Sequence, residues 1–275
     1  MDSFSGVMGG TRGLQTKTLR ESKLLRRVDK HGIVRWTNED GQYHREDGPA
    51  VETPNGTLLW YQNDQYHRAD GPAVVNPDGS EEWWFRGQIN RVGGPAKTES
   101  DGSKSWWQNG ELHRDDGPAI EHADGMSYEW YQNGKRHRDD GPATRHVIGG
   151  TFWVEQWYQN DVLHREDGPA IITSEGIDEW WFEGMRHRED DPAILYPDGS
   201  YEWWLHGKRH RLSAPALYHC TSHKEPWGGV HDRATRIELE YDNARQEWWE
   251  NGVHLATQPL TPEPRDETQT SLLGL

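Results

Sequence analysis

One string recurs along this chain at a nearly constant interval. Variants of His-Arg-x-Asp-Gly-Pro-Ala begin at His44, His67, Asn90, His113, His137, His164, His187 and His210, and the steps between them are 23, 23, 23, 24, 27, 23 and 23 residues. A fixed period of this size indicates a stack of similar supersecondary units. An active site is normally built once from unlike residues, so we expect the residues that every unit shares to be scaffold.

Two glycine turns divide each unit. The first contains Asp-Gly, as at 78–79, 101–102, 124–125 and 198–199, and the second contains Gly87, Gly110, Gly134, Gly184 and Gly207. Residues of these types tolerate the positive φ that tight hairpin turns require. Each unit is therefore predicted to be two short antiparallel strands, one ending in an aromatic pair and the other beginning with Pro-Ala. If successive units pair side by side, the fold is all-β, an elongated single-sheet solenoid of stacked β-hairpin repeats that advances about 10 Å per unit.

Two units depart from the period. Four extra residues around Gly149-Gly150 preserve which face each side chain takes, so they predict a longer, protruding hairpin. One extra residue near Met126 cannot preserve it, and predicts a bulge or a looser turn.

The ends of the chain lie outside the repeats. Residues 1–28 contain six Lys and Arg against two acidic residues, and 14–28 are predicted to form a short helix that either caps the first unit or belongs to a basic arm contacting a separate partner. The repeat array is predicted over 29–255, with an insertion at 217–247. Residues 256–275 have the proline-containing polar composition of a disordered tail.

The net charge limits the possible partners. At −16, the chain is not expected to bind nucleic acid through phosphate contacts, which need clustered Lys and Arg. The expected partner is a protein, and a basic one would suit this charge. There is one cysteine, Cys220, with no signal peptide and no apolar run of membrane-spanning length, which indicates a cytoplasmic protein, in the host cytoplasm if it is viral, that has no membrane contact. The pattern gives no oligomeric state.

Paired aromatic residues end one strand of each unit, and neighbours in a strand point to opposite faces. One row contains Trp60, Trp83, Trp106, Trp130, Trp157, Trp180 and Trp203, and the other contains Tyr61, Trp84, Trp107, Tyr131, Tyr158, Trp181 and Trp204. A single sheet buries both faces only if it curls or is covered, so one row can stay exposed and bind a protein. The second row varies between Trp and Tyr, and Tyr tolerates a wet edge, so we predict the second row as the binding residues.

Histidine and acidic residues recur in most units, although the third has Asn90 and no acidic pair, and this recurrence raises the question of metal binding. Neighbouring units place these histidines about 10 Å apart, too far for two of them to share one ion. We therefore expect an Arg and Asp network along one edge of the sheet, with no cofactor, metal or catalytic residue. The insertion offers an alternative zinc site at His219, Cys220, His223, His231 and Asp232, although the spacing is irregular.

The frame Trp106-Trp107-Gln108-Asn109-Gly110-Glu111-Leu112-His113, followed by Asp124-Gly125, resembles the MORN repeat and its variants over about residues 29–255. The resemblance implies a row of β-hairpins used for protein or lipid contacts and for assembly, with variants in some bacterial antitoxin-like proteins. Similar HRxDGPA arrays resemble proteins of tailed phages and large viruses. Arg114 stands where a MORN repeat commonly has Gly, so the lipid role is not carried over.

Together these features favour a non-enzymatic protein-binding scaffold that acts as an inhibitor, an antitoxin-like protein or an assembly factor. Three alternatives stay open: an acidic mimic of nucleic acid that occupies a basic groove, a small-molecule sponge with an aromatic pocket between units, and an enzyme built in the insertion.

Overall fold

The computed structural model describes residues 24–211, 215–219 and 245–259, and within them the chain is all-β, with no helix. In chain order the strands are β1 Leu25–Val28, β2 Val34–Thr37, β3 Val51–Glu52, β4 Leu58–Leu59, β5 Tyr61–Gln62, β6 Gln65–Tyr66, β7 Val74–Val75, β8 Glu81–Glu82, β9 Trp84–Phe85, β10 Gln88–Ile89, β11 Lys97–Thr98, β12 Lys104–Ser105, β13 Trp107–Gln108, β14 Glu111–Leu112, β15 Ile120–Glu121, β16 Tyr128–Glu129, β17 Tyr131–Gln132, β18 Lys135–Arg136, β19 Thr144–Ile148, β20 Phe152–Gln156, β21 Tyr158–Gln159, β22 Val162–Leu163, β23 Ile171–Thr173, β24 Asp178–Glu179, β25 Trp181–Phe182, β26 Met185–Arg186, β27 Ile194–Leu195, β28 Tyr201–Glu202, β29 Trp204–Leu205, β30 Lys208–Arg209, β31 Leu217–His219, β32 Arg245–Glu250 and β33 Val253–Pro259.

Nineteen of these strands form one open antiparallel sheet, which we call the main sheet. Each unit contributes two strands, such as β7 and β8, and each strand pairs with the one before and after it in this row. The two end strands, β1 and β33, pair on one side only. The predicted elongated single-sheet solenoid of hairpin repeats is confirmed.

The Asp-Gly turns that close the main-sheet hairpins follow from local chemistry. In the third unit the Asn76 and Ser80 backbones pair across the turn, and Gly79 adopts a φ of 87°. The Asp78 carboxylate accepts a hydrogen bond from the Ser80 N–H at 2.9 Å. This is a type I turn closed by a left-handed residue, a position that glycine takes without a steric penalty.

A second row of hairpins lies beside the main sheet. The prediction of two strands per unit did not include it. The aromatic strand is interrupted at its first aromatic residue: the Trp83 N–H donates to Ala96 of the main sheet, and the Trp83 carbonyl accepts from Asn90. Beyond this point β9 and β10 form a separate two-stranded hairpin, one of seven among the described residues. Backbone bonds such as Gly110 N–H to the Ile89 carbonyl join each of these hairpins to the next.

The core of the stack is a column of alanines. The alanine after the proline of each repeat is fully buried, at Ala50, Ala73, Ala96, Ala119, Ala143, Ala170, Ala193 and Ala216. The next position adds aliphatic side chains such as Ile194, which is 2% exposed. A thin core of this kind accounts for a chain of this length with only 32% hydrophobic residues.

Both irregular units behave as predicted. The strands β19 and β20 extend to an Ile148 and Phe152 pair, and the Gly149-Gly150 turn leaves Ile148 63% exposed. In the fifth unit the turn between His122 and Ser127 holds one more residue than its equivalents, which makes it the looser turn.

At the ends the sheet extends beyond the predicted bounds. Residues 14–23 of the predicted helix lie outside the described residues, and the last four residues of that prediction form β1 instead. The reason is the Asp29 to Gly32 turn, which folds the chain back so that β1 pairs with β2 over four residues. At the other end β33 includes residues 256–259 of the predicted tail. Residues 220–244 of the insertion, with Cys220, His223, His231 and Asp232, lie outside the described residues.

Candidate functional site

The arginine of each repeated string lies flat on the first aromatic residue of its own unit. The distance from Cζ to the ring centroid is 3.9 Å for Arg91 over Trp83 and 4.0 Å for Arg114 over Trp106, and all eight units fall between 3.9 and 4.5 Å. Stacking of this kind holds the guanidinium in place. The Arg114 Nη1 also donates to the Pro118 carbonyl at 3.1 Å.

In six units glycine precedes this proline, and the arginine side chain lies close to it. A Cβ built on Gly117 would lie 2.7 Å from the Arg114 Cζ. The seventh unit carries Asp191 at this position, and there Arg188 Nη2 pairs with the Asp191 carboxylate at 2.8 Å. The Gly-Pro-Ala string is therefore part of the arginine's binding pocket.

Five units have an acidic pair directly after the arginine, and these acidic side chains point outward from this support. Arg114 Nε donates to Asp116 at 2.9 Å, and equivalent bonds form in the units of Arg45, Arg68, Arg138 and Arg165. The arginine holds the pKa of the Asp116 carboxyl below its ordinary value, so it stays ionised at neutral pH. These carboxylate side chains remain between 77% and 86% exposed, at Glu46, Asp47, Asp70, Asp115, Asp116, Asp139, Asp140, Glu166, Asp167 and Glu189. The predicted Arg and Asp network is thus present, and it presents a row of exposed carboxylates.

The repeated histidine ties each unit to the next. His113 Nδ1 accepts a hydrogen bond at 3.1 Å from the backbone N–H of Asn133, which has a φ of 49°. In the third unit, Asn90 Oδ1 accepts the equivalent bond from Asn109 at 2.9 Å. The other histidines of this column make the same contact, at His44, His67, His137, His164, His187 and His210.

The seven predicted binding residues lie in the second row of hairpins, where they stack lengthwise. Tyr61 stacks on Tyr66 with centroids 4.3 Å apart, and Tyr66 lies 5.4 Å from Trp84. In the last units arginines separate the rings, as Arg186 does between Trp181 and Trp204. All seven residues are half-buried except Tyr158, which is buried.

The polar atoms of this second row are also used within the stack. The Trp84, Trp181 and Trp204 indole N–H groups donate to a glutamate two residues earlier, at 2.8 to 2.9 Å. The Tyr131 hydroxyl donates to Glu129 at 2.9 Å, and burial, then this carboxylate, raises the pKa of Tyr131 to about 12. The side chains of this aromatic row are therefore bonded within the stack, and they support the surface beside them.

A groove runs between the acidic loops and the tips of the second-row hairpins. One segment, with a volume of about 1160 Å³, is lined by acidic residues including Asp139, Glu166 and Glu183 and by Trp157 and Val162. The next, of about 560 Å³, is lined by Glu189, Trp180 and Phe182. The aromatic residues here belong to the first row, at Trp157 and Trp180, and to the hairpin tips.

The hairpin tips carry exposed apolar side chains that sequence reasoning missed. Val162, Phe182 and Met185 are 41%, 37% and 40% exposed. The signal was available in the repeat: the position after the aromatic pair is Gln in four units, at 62, 108, 132 and 159, but Phe85, Phe182 and Leu205 elsewhere. Gln108 and Phe182 occupy the same position, so this part of the surface differs between units.

The fold and the groove define a class: an open β-hairpin repeat protein with an acidic, partly apolar groove beside its fifth, sixth and seventh units. Comparison with protein-family models finds no match, and no curated protein has a significantly similar sequence. Among the described residues no helix is long and apolar enough to cross a membrane.

Proposed function

We propose that this protein is a non-enzymatic scaffold that binds an extended basic segment of a partner protein in the groove between the acidic loops and the hairpin tips. The observation that carries the proposal is that acidic and apolar side chains line the same groove. Near Trp157, five carboxylates face two arginines, and Val162 adds an apolar wall. An acidic, partly apolar groove suits a segment that presents Lys or Arg beside apolar side chains.

The rigid support of the carboxylates favours binding through this edge. In five units the arginine is held by a ring, a carbonyl and a carboxylate of its own loop, so these acidic loops are fixed before a partner arrives. Preorganised groups lose little conformational freedom on binding. Whether such binding inhibits the partner or assembles it depends on the partner's identity.

Charge density makes mimicry of nucleic acid the weaker proposal. Duplex DNA carries one charge per about 1.7 Å of axis. Two acidic residues per unit that advances about 10 Å give one charge per about 5 Å, before the arginines are counted. We therefore retain a protein-binding scaffold as the function and treat mimicry as the secondary hypothesis.

The test is capture of partners from lysate of the native host with the wild type and with a D139N/E166Q/E189Q variant. These three side chains line the groove, and none pairs with the stacked arginines. We expect the variant to lose the partner, and wild-type binding to weaken as salt is raised. Mass spectrometry of the captured fraction identifies the partner, and titration with the purified partner measures its affinity.

The matched control is E39Q/D40N/E175Q, which removes the same charge from exposed residues outside the groove lining. The control should keep the partner at wild-type affinity. Equal retention by both triple variants would show that the groove does not bind. Loss from both would indicate that net charge alone attracts the partner.

A further inference from the structure

We propose that His122, Glu129 and His146 form a binding site for a divalent transition metal, with Zn²⁺ as the best fit. One ligand atom from each residue lies within 4.8 Å of the others. Two imidazoles and one carboxylate are a ligand set found in zinc proteins, where a fourth position is left to water or another molecule.

The sheet register brings these three residues to one face. Ile120 and Thr144 lie opposite Glu129 on either side, because β15 and β19 flank β16. His122 and His146 lie two residues further along their chains, and a step of two residues returns to the same face. The histidine rings therefore meet above the strand that carries Glu129, with their centroids 6.0 Å apart.

One buried polar atom at this site has no hydrogen bond, and the carboxylate beside it has no Lys or Arg partner. His122 Nε2 is buried and makes no hydrogen bond, although Glu129 Oε1 lies 3.5 Å away. The Glu129 side chain is 16% exposed, and in the described part of the chain no Lys or Arg lies within 4.0 Å of it. A carboxylate that is largely withdrawn from water is stabilised by a cation. A metal ion would satisfy both groups at once.

The equivalent glutamates in other units show what this one lacks. Glu179 accepts from Arg186 at 3.0 Å and Glu202 accepts from Arg209 at 3.0 Å. At Glu129 the Tyr131 hydroxyl binds Oε2 and leaves Oε1 facing His122. A hydrogen bond to one carboxylate oxygen orients the other oxygen toward a metal.

The geometry needs only a small adjustment to bind the ion. Ligand atoms around tetrahedral zinc lie about 3.3 Å apart, since each is about 2.0 to 2.2 Å from the ion. The His122 to Glu129 distance of 3.5 Å already matches. The ligand atom of His146 lies within 4.8 Å of the other two, and a rotation of its side chain would close the remaining distance. The site would join the fifth and sixth units, beside the looser turn that follows His122.

The test is titration of chelator-stripped full-length protein with Zn²⁺ by calorimetry and with Co²⁺ by visible absorption. We expect the wild type to bind one equivalent of metal at this site. H122Q, E129Q and H146Q should each lower the metal affinity of this site by about 100-fold or more, because loss of a group that only hydrogen-bonds a ligand already costs 10-fold to 100-fold. H31Q, which removes an exposed histidine from a turn, is the matched control and should bind as the wild type does.

A second control separates this site from the irregular Cys and His residues of the insertion. A variant with His219→Gln, Cys220→Ser, His223→Gln and His231→Gln should still bind the one metal ion that H122Q fails to bind. If instead H122Q and H146Q bind as tightly as the wild type, or if the wild type binds neither ion, the proposal is wrong.

Far-UV circular dichroism in chelator checks that each variant folds. If H146Q does not fold, Co²⁺ added to the wild type decides the question through nuclear magnetic resonance. Paramagnetic broadening of the His122 and His146 ring signals supports the site, and broadening confined to other histidines overturns it.

Discussion

The Nδ1 atom of the repeated histidine accepts a hydrogen bond from a backbone N–H of the next unit, at a residue that has a positive φ. This bond requires a neutral imidazole whose proton is on Nε2. In five units Nε2 also lies within 4.0 Å of an acidic side chain, as in the 3.1 Å contact of His113 with Asp115. His67 is instead followed by Arg68 and Ala69, and among the described residues it has no such contact. Burial, and then the charge of Arg86, lower the pKa of His67 below its ordinary value.

We predict that His67→Asn separates the hydrogen bond from the titration. Asn90 makes the same contact, so the variant should match the wild-type free energy of unfolding within about 0.5 kcal/mol near pH 7.5. Because the folded pKa of His67 is lowered, its stabilising contribution is present above the unfolded pKa of about 6.5 and is lost as pH falls through the folded value.

The variant should therefore be more stable than the wild type near pH 5.5, as measured by urea unfolding at both pH values. H31N is the control, and it should leave the pH dependence unchanged. A variant that tracks the wild type at both pH values would contradict this account of the histidine.

At the scale of elements, the second-row hairpins are two-residue turns with both central residues at positive φ. Asn occupies the first position at Asn63, Asn109, Asn133 and Asn160. Glu183 takes a φ of 48° at the same position, and Arg86 and His206 do likewise. An L-residue other than Asn or Asp pays a steric cost in this conformation.

We predict that Glu183→Asn stabilises the protein by about 0.5 to 1 kcal/mol, because Asn tolerates the left-handed conformation. Urea unfolding measures the change. Glu183→Gln is the matched control: it removes the same charge from the groove without that tolerance, and it should leave stability unchanged. A gain of the same size in both variants would attribute the effect to charge.

At the scale of the whole molecule, each unit contacts its neighbours and the sheet remains open at both ends. Stability in such a stack is a sum of unit and interface contributions, so damage at one place divides the array. The alanine column is the shared interface, and Ala119 lies near its middle with no exposed surface. A larger side chain there must displace both neighbouring units.

We predict that Ala119→Leu costs about 1 to 3 kcal/mol and divides urea unfolding into two transitions. Ala50→Leu, in the first complete unit, should instead loosen one end and keep a single main transition. Tryptophan fluorescence and limited proteolysis during the titration measure the number of transitions. A single transition in A119L with unchanged denaturant dependence would show that the units do not unfold independently.

The sequence by itself determined the features that depend on nearby residues. The period set the stack, Asp78-Gly79 and its equivalents set the turns, and Gly149-Gly150 set the long hairpin, because turn chemistry and strand parity act within a few residues. The seven aromatic residues predicted to bind were placed by that same parity, but burial in the second row was not readable from it.

Only the tertiary structure decided the contacts between residues that lie far apart along the chain, both within a unit and between units. The stacking of arginine on the first aromatic, the bond from His113 to Asn133 and the meeting of His122 with His146 join residues that are 8, 20 and 24 positions apart. These contacts depend on how the strand register and the second row of hairpins position one unit against the next. A period in the sequence states that units are alike, and the packing between them determines which side chains meet.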